Sequence, residues 1–226
     1  MSVKENYETI RRNIINACQR VGRNPSDVKV IAVTKYVSTS RTQEAVDAGL
    51  LHIGENRVEG ILTKQLEITA KDIWWHFIGT LQSRKVKEVV HAIDMLHSLD
   101  RLSLAKEIDK RSDKIIDCFV QVNVSGEESK HGISEETLLD FVEKLSVYKK
   151  IRVVGLMTMA PYTEDKELIR NVFRRLKECQ LKVQEQQFPH APCDELSMGM
   201  SNDYEIAIEE GATFVRIGTA LVGKET

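Results

Sequence analysis

The sequence lacks any run approaching the roughly 18 apolar residues of a membrane-spanning helix. Its N-terminus, MSVKENYETIRR, has no signal-peptide core. It also lacks an excess of charge: 32 Lys and Arg stand against 34 Asp and Glu, a formal charge of −2. That leaves none of the basic field needed for nucleic acids or anionic membranes, so any bound anion must be held locally. Cysteine is sparse. Cys18, Cys118, Cys179 and Cys193 lie far apart, with no CxxC pair and no histidine at metal-ligand spacing. They read as reduced, mostly buried thiols. The six histidines are scattered and form no HExxH, which argues against a zinc centre. A cytoplasmic protein that contacts neither nucleic acid nor membrane is expected.

What is present is rhythm. The 226 residues, 42% hydrophobic and 29% charged, fit one globular domain over 1–226. Tyr7, Ile10, Ile14, Cys18 and Val21 recur at helical spacing up to Gly22, and a β-branched run, Val28 to Lys35, follows as a strand covered on both faces. Ser40-x-x-Gln43 reads as a capping box opening the next helix. Further strands are expected at Leu51–Gly54, Trp74–Gly79, Met95–Leu99, Asp117–Val124, Val153–Met159, Leu196–Gly199 and Phe214–Gly218. Helical patterns separate them at Leu81–His91, Arg101–Arg111, Ser134–Lys149, Glu164–Gln186 and Asn202–Glu210. Eight strand-helix units predict a (β/α)8 barrel with parallel strands. The competitor, a doubly wound open sheet, usually has a glycine-rich first turn, whereas Lys35-Tyr36-Val37-Ser38 has none. The last strand falls close to the end of the chain, so the extra N-terminal helix is expected to stand in for the final barrel helix. The twin tryptophans Trp74 and Trp75 open a strand far from its C-terminal end and are assigned to packing.

Barrels of this kind carry their chemistry at the C-terminal ends of the strands. Lys35 ends the most apolar strand. Its amine, projected into the mouth and desolvated, could attack a carbonyl, or it could simply snorkel to solvent. Ser201 and the pair Gly218-Thr219 follow strands seven and eight, the recurrent phosphate position. Asn202-x-x-Glu205 reads there as a second capping box. Arg216, between Val215 and Ile217, points opposite to its neighbours and into the barrel. There it must meet a ring nitrogen, a ligand carboxylate or a structural carboxylate. An amine for an aldehyde, a phosphate cup and an arginine between them match the handles of pyridoxal 5′-phosphate.

The segments VIAVTKY, HIGENRVE, WHFIGTLQSRKVK, LHSLD, VQVNVSGEESKHG, GLMTM, LSMGMSNDYEIAI and VRIGTALVG, in this order from Val28 to Gly223, resemble the pyridoxal-phosphate homeostasis protein family. The resemblance implies a single barrel similar to the N-terminal domain of alanine racemase, the third fold type of pyridoxal-phosphate proteins. It implies that Lys35 carries the cofactor as a Schiff base, that Ser201, Gly218 and Thr219 hold its phosphate, and that Arg216 faces its ring nitrogen. Asn56, His76, Gly79, Asn123 and Met157 match family positions near the cofactor, and Lys130 is a weaker candidate at the mouth. A permanent cation at the ring nitrogen weakens the ring as an electron sink. The related racemases use a second base, a tyrosine from an added domain for which this chain is expected to have no room. Among its own loop tyrosines, Tyr36 should point away from Lys35 by strand alternation, and Tyr162 is no better placed.

The leading expectation is a non-catalytic carrier that buffers pyridoxal 5′-phosphate or delivers it to apoenzymes that depend on it, and acts as a monomer. The alternatives are a racemase-like enzyme of weak activity and, lower, a Schiff-base aldolase acting on a phosphosugar without a cofactor.

Overall fold

The computed structural model describes residues 2–126 and 131–225. Lys130 falls outside them. The strands are β1 (Lys29–Val33), β2 (His52–Glu55), β3 (Trp74–Phe77), β4 (Met95–Leu99), β5 (Ile116–Gln121), β6 (Ile151–Met157), β7 (Glu195–Met200) and β8 (Phe214–Ile217). Each pairs in parallel with its sequence neighbour, and β8 pairs back onto β1, closing the barrel. Closure leaves no sheet edge and excludes the open doubly wound sheet.

Alternation divides the strand residues between two apolar regions. Val30 and Ala32 of β1, with Val215 and Ile217 of β8, belong to the large core between the strands and the surrounding helices. Ile31 and Phe214 turn the other way and join Met95, Phe119, Val154 and Met157 in a smaller cluster inside the ring. Arg216 lies opposite Ile31 in the β1–β8 ladder. The same alternation therefore aims it inward, as expected.

The helices are α1 (Val3–Arg20), α2 (Thr39–Asp47), α3 (Val58–Glu67), α4 (Val86–Val89), α5 (Leu102–Arg111), α6 (Leu138–Lys144), α7 (Lys166–Glu185), α8 (Tyr204–Glu209) and α9 (Thr219–Val222). Helix α1 opens with a capping box, Glu5 N–H donating to Ser2 Oγ and Ser2 N–H to the Glu5 carboxylate. It packs against α8, α9 and α2, where the last crossover of the barrel would run. Asn6 Nδ2 donates to the Leu221 carbonyl at 2.8 Å, and Asn13 Nδ2 to the Tyr204 hydroxyl at 2.9 Å. Arg20 bridges Glu205 and Glu209. The four cysteines are free and buried. Trp75 packs in the core, whereas Trp74 is half exposed at the N-terminal end of β3.

Two expected caps differ from those formed. Helix α2 begins two residues earlier than Ser40 would set it, and the cap is Ser38, whose Oγ accepts from Arg41 N–H at 3.1 Å. Asn202 does not cap α8. Asp203 precedes that helix, and its carboxylate accepts from Met200 N–H at 2.5 Å, tightening the β7–α8 turn, while Glu205 is drawn to Arg20. Helix α3 is absent from the sequence reading. Its buried stripe is Val58, Ile61 and Lys64, and a lysine in the third position breaks the apolar pattern that would have announced it.

Candidate functional site at the barrel mouth

Going round the barrel, β7, β8, β1 and β2 are consecutive neighbours. Their C-terminal ends present Ser201, then Arg216 with Gly218 and Thr219, then Lys35, then Asn56 along one arc. Met157 closes the arc on the β6 side as the last residue of its strand, buried with Ile31 and Phe214 beneath the mouth.

Strand β1 ends at Val33, so Lys35 lies in the turn that follows rather than in the strand. The turn is closed by Val37 N–H on the Thr34 carbonyl at 3.1 Å. Lys35 is exposed at the rim, with its Nζ 4.9 Å from the centre of the Tyr36 ring. The expectation that Tyr36 points away from Lys35 is therefore wrong, because alternation ends where the ladder ends and the turn brings the two side chains together.

Beneath this turn lies a buried polar cluster that the sequence reading missed. Lys64 Nζ donates to Glu55 Oε1 and to the Thr34 carbonyl, both at 2.6 Å, and the Thr34 hydroxyl donates to Glu55 Oε1 at 2.7 Å. Glu55 and Lys64 are 2% and 6% exposed, so each charge relies on the other. Gly60 of α3 makes room for the carboxylate, since a Cβ there would sit 2.6 Å from Glu55 Oε2. The only signal in the sequence was a lone lysine on the inner stripe of a helix following a strand-end glutamate. A cavity of about 390 Å³ opens beside the cluster, lined by Lys35, Ser38, Arg57, Glu59, Thr63 and Lys64 among others.

Asn56 Oδ1 is buried and has no hydrogen-bond partner among the described residues. Such an acceptor costs free energy unless a donor arrives from outside the chain. Gly79 holds it in place, because a Cβ there would lie 2.6 Å from the Asn56 carbonyl oxygen. Ser98 Oγ in turn fixes the Gly79 carbonyl at 2.6 Å.

Arg216 is the second unusual group. It is buried, and burial lowers its pKa to about 10 against the opposing pull of Asp203. Its Nη1 donates to Ser197 Oγ at 2.6 Å and its Nη2 to the Thr158 carbonyl at 2.9 Å. Among the described residues no carboxylate forms an ion pair with it, which removes the structural-carboxylate alternative. A buried cation with only neutral acceptors fits a site that awaits an electron-rich ligand atom.

Ser201 and Gly218 occupy adjacent strand ends because Met200 pairs with Arg216. Ser201 is half-buried, and Thr219, the first residue of α9, is exposed. Gly199, just upstream, has φ +90°, and a Cβ would meet Ala207 Cβ at 2.6 Å, so this turn requires glycine. His76 does not reach the mouth. It is fully buried inside the barrel with its ring nitrogens in contact with His52 at 2.9 Å and His97 at 2.8 Å. Asn123, two residues beyond the end of β5, accepts from Ser125 Oγ at 3.1 Å. No cluster of histidine, cysteine or carboxylate groups able to hold a metal occurs among the described residues. No helix among them is long and apolar enough to cross a membrane.

Residues 6–226 match the family model described as alanine racemase, N-terminal domain. The alanine racemase of Corynebacterium glutamicum shares the fold at TM-score 0.67 and 15% identity, over 95% of this chain and 60% of that one. A closed parallel barrel with a polar arc at its C-terminal mouth thus defines a barrel of the alanine racemase N-terminal type. The chain is 41% identical to the pyridoxal phosphate homeostasis protein of Aquifex aeolicus over 99% of each chain. It is 37% identical to that of Pseudomonas aeruginosa over 98% of this chain and 95% of the relative. The structure of PipY of Synechococcus elongatus with PLP bound superposes at TM-score 0.85 with 32% identity, over 98% of this chain and 100% of that one. The chain belongs to the pyridoxal phosphate homeostasis protein family.

Proposed function

We propose that this protein binds pyridoxal 5′-phosphate at the β7–β8–β1–β2 arc and takes part in its homeostasis as a cytoplasmic, monomeric carrier that buffers the cofactor or passes it to apoenzymes. The observation that carries the reading is Arg216, a buried cation at the mouth that pairs with no carboxylate among the described residues. The unpartnered Asn56 Oδ1 supports it, since both groups gain from a polar ligand.

In this reading Lys35 supplies the amine for the aldehyde, and its exposed place on a turn keeps that amine accessible to exchange. Ser201, Gly218 and Thr219 receive the phosphate. Arg216 faces the ring nitrogen, Met157 packs below the ring, and Asn56 accepts from a polar substituent at the rim. His76 acts from the interior rather than at the ligand. When bound, pyridoxal phosphate supplies an electron sink for carbanions. Arg216 restrains that use, because a permanent cation at the ring nitrogen opposes its protonation.

One observation favours the second reading, a racemase-like enzyme of weak activity: the Tyr36 ring lies 4.9 Å from Lys35 Nζ, which brings a second group able to transfer a proton to the same rim. The test is the visible spectrum of the protein with pyridoxal phosphate, followed by borohydride reduction and peptide mapping. A yellow protein with the label on Lys35, lost in Lys35→Ala, is expected. An unlabelled, colourless protein would overturn the binding reading. Deuterium exchange at the α-carbon of amino acids, faster than with free cofactor and lost in Tyr36→Phe, would favour the enzyme.

A further inference from the structure

We infer that Ser197, His97 and His76 are positioning residues for Arg216, forming with His52 a one-way hydrogen-bond chain through the barrel that sustains its buried cation where no carboxylate among the described residues pairs with it. The inference rests on the reading that Arg216 faces the cofactor.

The chain is continuous. Arg216 Nη1 meets Ser197 Oγ at 2.6 Å, Ser197 Oγ meets His97 Nδ1 at 2.9 Å, His97 Nε2 meets His76 Nδ1 at 2.8 Å, and His76 Nε2 meets His52 Nδ1 at 2.9 Å. It crosses from β8 and β7 to β4, β3 and β2. The arginine, the serine and two of the histidines are buried, and His52 is half-buried at the far end. Phe119 stacks on His97 with ring centres 4.3 Å apart. Phe214 contacts the rings of all three histidines at 5.5 to 6.3 Å, which fixes the imidazole planes.

The direction follows from counting protons. The Ser197 hydroxyl has one proton, and a guanidinium can only donate. Of the two groups touching Ser197 Oγ, His97 Nδ1 alone can accept that proton. A neutral His97 then carries its own proton on Nε2 and donates it to His76 Nδ1. His76 repeats the pattern toward His52 Nδ1, leaving the His52 proton on Nε2. In the reverse direction Ser197 Oγ would face two donors and its own proton would have no acceptor, at the cost of a buried unsatisfied group. Burial favours the neutral form of each ring, with Lys29 acting in the same sense at His52 and Glu195 against it.

In that direction every acceptor atom points back toward Arg216. Aligned hydrogen bonds polarise one another, so the negative ends of the serine and imidazole dipoles together stabilise the guanidinium. A carboxylate in their place would cancel the charge and compete for its donors. The neutral chain leaves the cation its net positive charge for a ligand.

Side-chain ¹⁵N NMR of the apoprotein tests the direction. His76 and His97 should both be neutral, with protonated Nε2 and bare Nδ1, and Nδ1–H tautomers would overturn the inference. Arg216→Met should admit the opposite tautomer at His97, and an unchanged spectrum would show that the cation does not set the direction. Absorbance titration with pyridoxal phosphate tests the positioning. Ser197→Ala should weaken binding at least tenfold while retaining the native circular dichroism. Wild-type affinity in Ser197→Ala alongside a large loss in Arg216→Met would refute positioning. Wild-type affinity in Arg216→Met would instead refute the assignment of Arg216 to the cofactor.

Discussion

Lys64 Nζ stands 2.6 Å from Glu55 Oε1 and the same distance from the carbonyl of Thr34, the residue before Lys35. A buried ion pair thus anchors the turn that carries the lysine assigned to the cofactor. Removing one partner strands the other charge, so Lys64→Met should cost about 3–5 kcal/mol in urea unfolding. The double variant Glu55→Gln/Lys64→Met should recover much of that loss. Equal destabilisation in both would mean that the uncompensated charge is not the source of the cost.

The interior histidines make stability depend on pH. His52 has its pKa lowered to about 4, chiefly by burial, and His76 and His97 lie well below their usual 6.5 for the same leading reason. The unfolded chain therefore binds more protons than the folded one below about pH 6.5, and stability falls as pH drops from there toward 4. Each histidine contributes at most about 1.4 kcal/mol per pH unit. Urea midpoints should decline between pH 7 and pH 5, and a flat profile over that range would contradict the neutral interior.

Two glycines with positive φ should respond differently to alanine. Gly199 has φ +90° and no space, with Ala207 Cβ 2.6 Å from the added atom, whereas Gly22 has φ +66° and nothing within 4 Å. Gly22→Ala should cost about 1 kcal/mol from backbone strain alone. Gly199→Ala adds overpacking of about 1–3 kcal/mol, and it should also weaken phosphate binding because it displaces the turn leading to Ser201. Thermal unfolding of the two variants side by side separates the contributions.

Cofactor binding should raise thermal stability by mass action. At a pyridoxal phosphate concentration 100 times the dissociation constant, the gain is about 2.7 kcal/mol. For a chain of this length that corresponds to a rise in Tm of roughly 5–11 °C. At the same ligand concentration Lys35→Ala should show only a small part of the rise. An undiminished rise would place the main binding energy away from Lys35.

Much of this architecture could be read directly from the residues. The eight strands follow from short β-branched runs spaced by helical patterns, and the inward aim of Arg216 follows from the side-chain alternation of a strand, both being local properties of the backbone. Lys35, Ser201, Arg216, Gly218 and Thr219 fall at strand ends by sequence position alone. Where the ladder stopped, that reasoning stopped as well. Tyr36 turned toward Lys35 because pairing ends at Val33, and helix α3 escaped notice because Lys64 interrupts its apolar face.

The histidines mark the boundary most clearly. His52, His76 and His97 look scattered in the sequence, with no spacing that marks them as a group. They meet only because closure of the barrel turns one residue from each of β2, β3 and β4 into the same interior, and β7 brings Ser197 to the end of their line. Sequence determined the barrel, the strand ends and the family, since these depend on local pattern and ordered motifs. Tertiary structure decided the partners of the buried charges, because whether Arg216 meets a carboxylate or a serine hydroxyl and a carbonyl depends on which distant strands closure sets beside it.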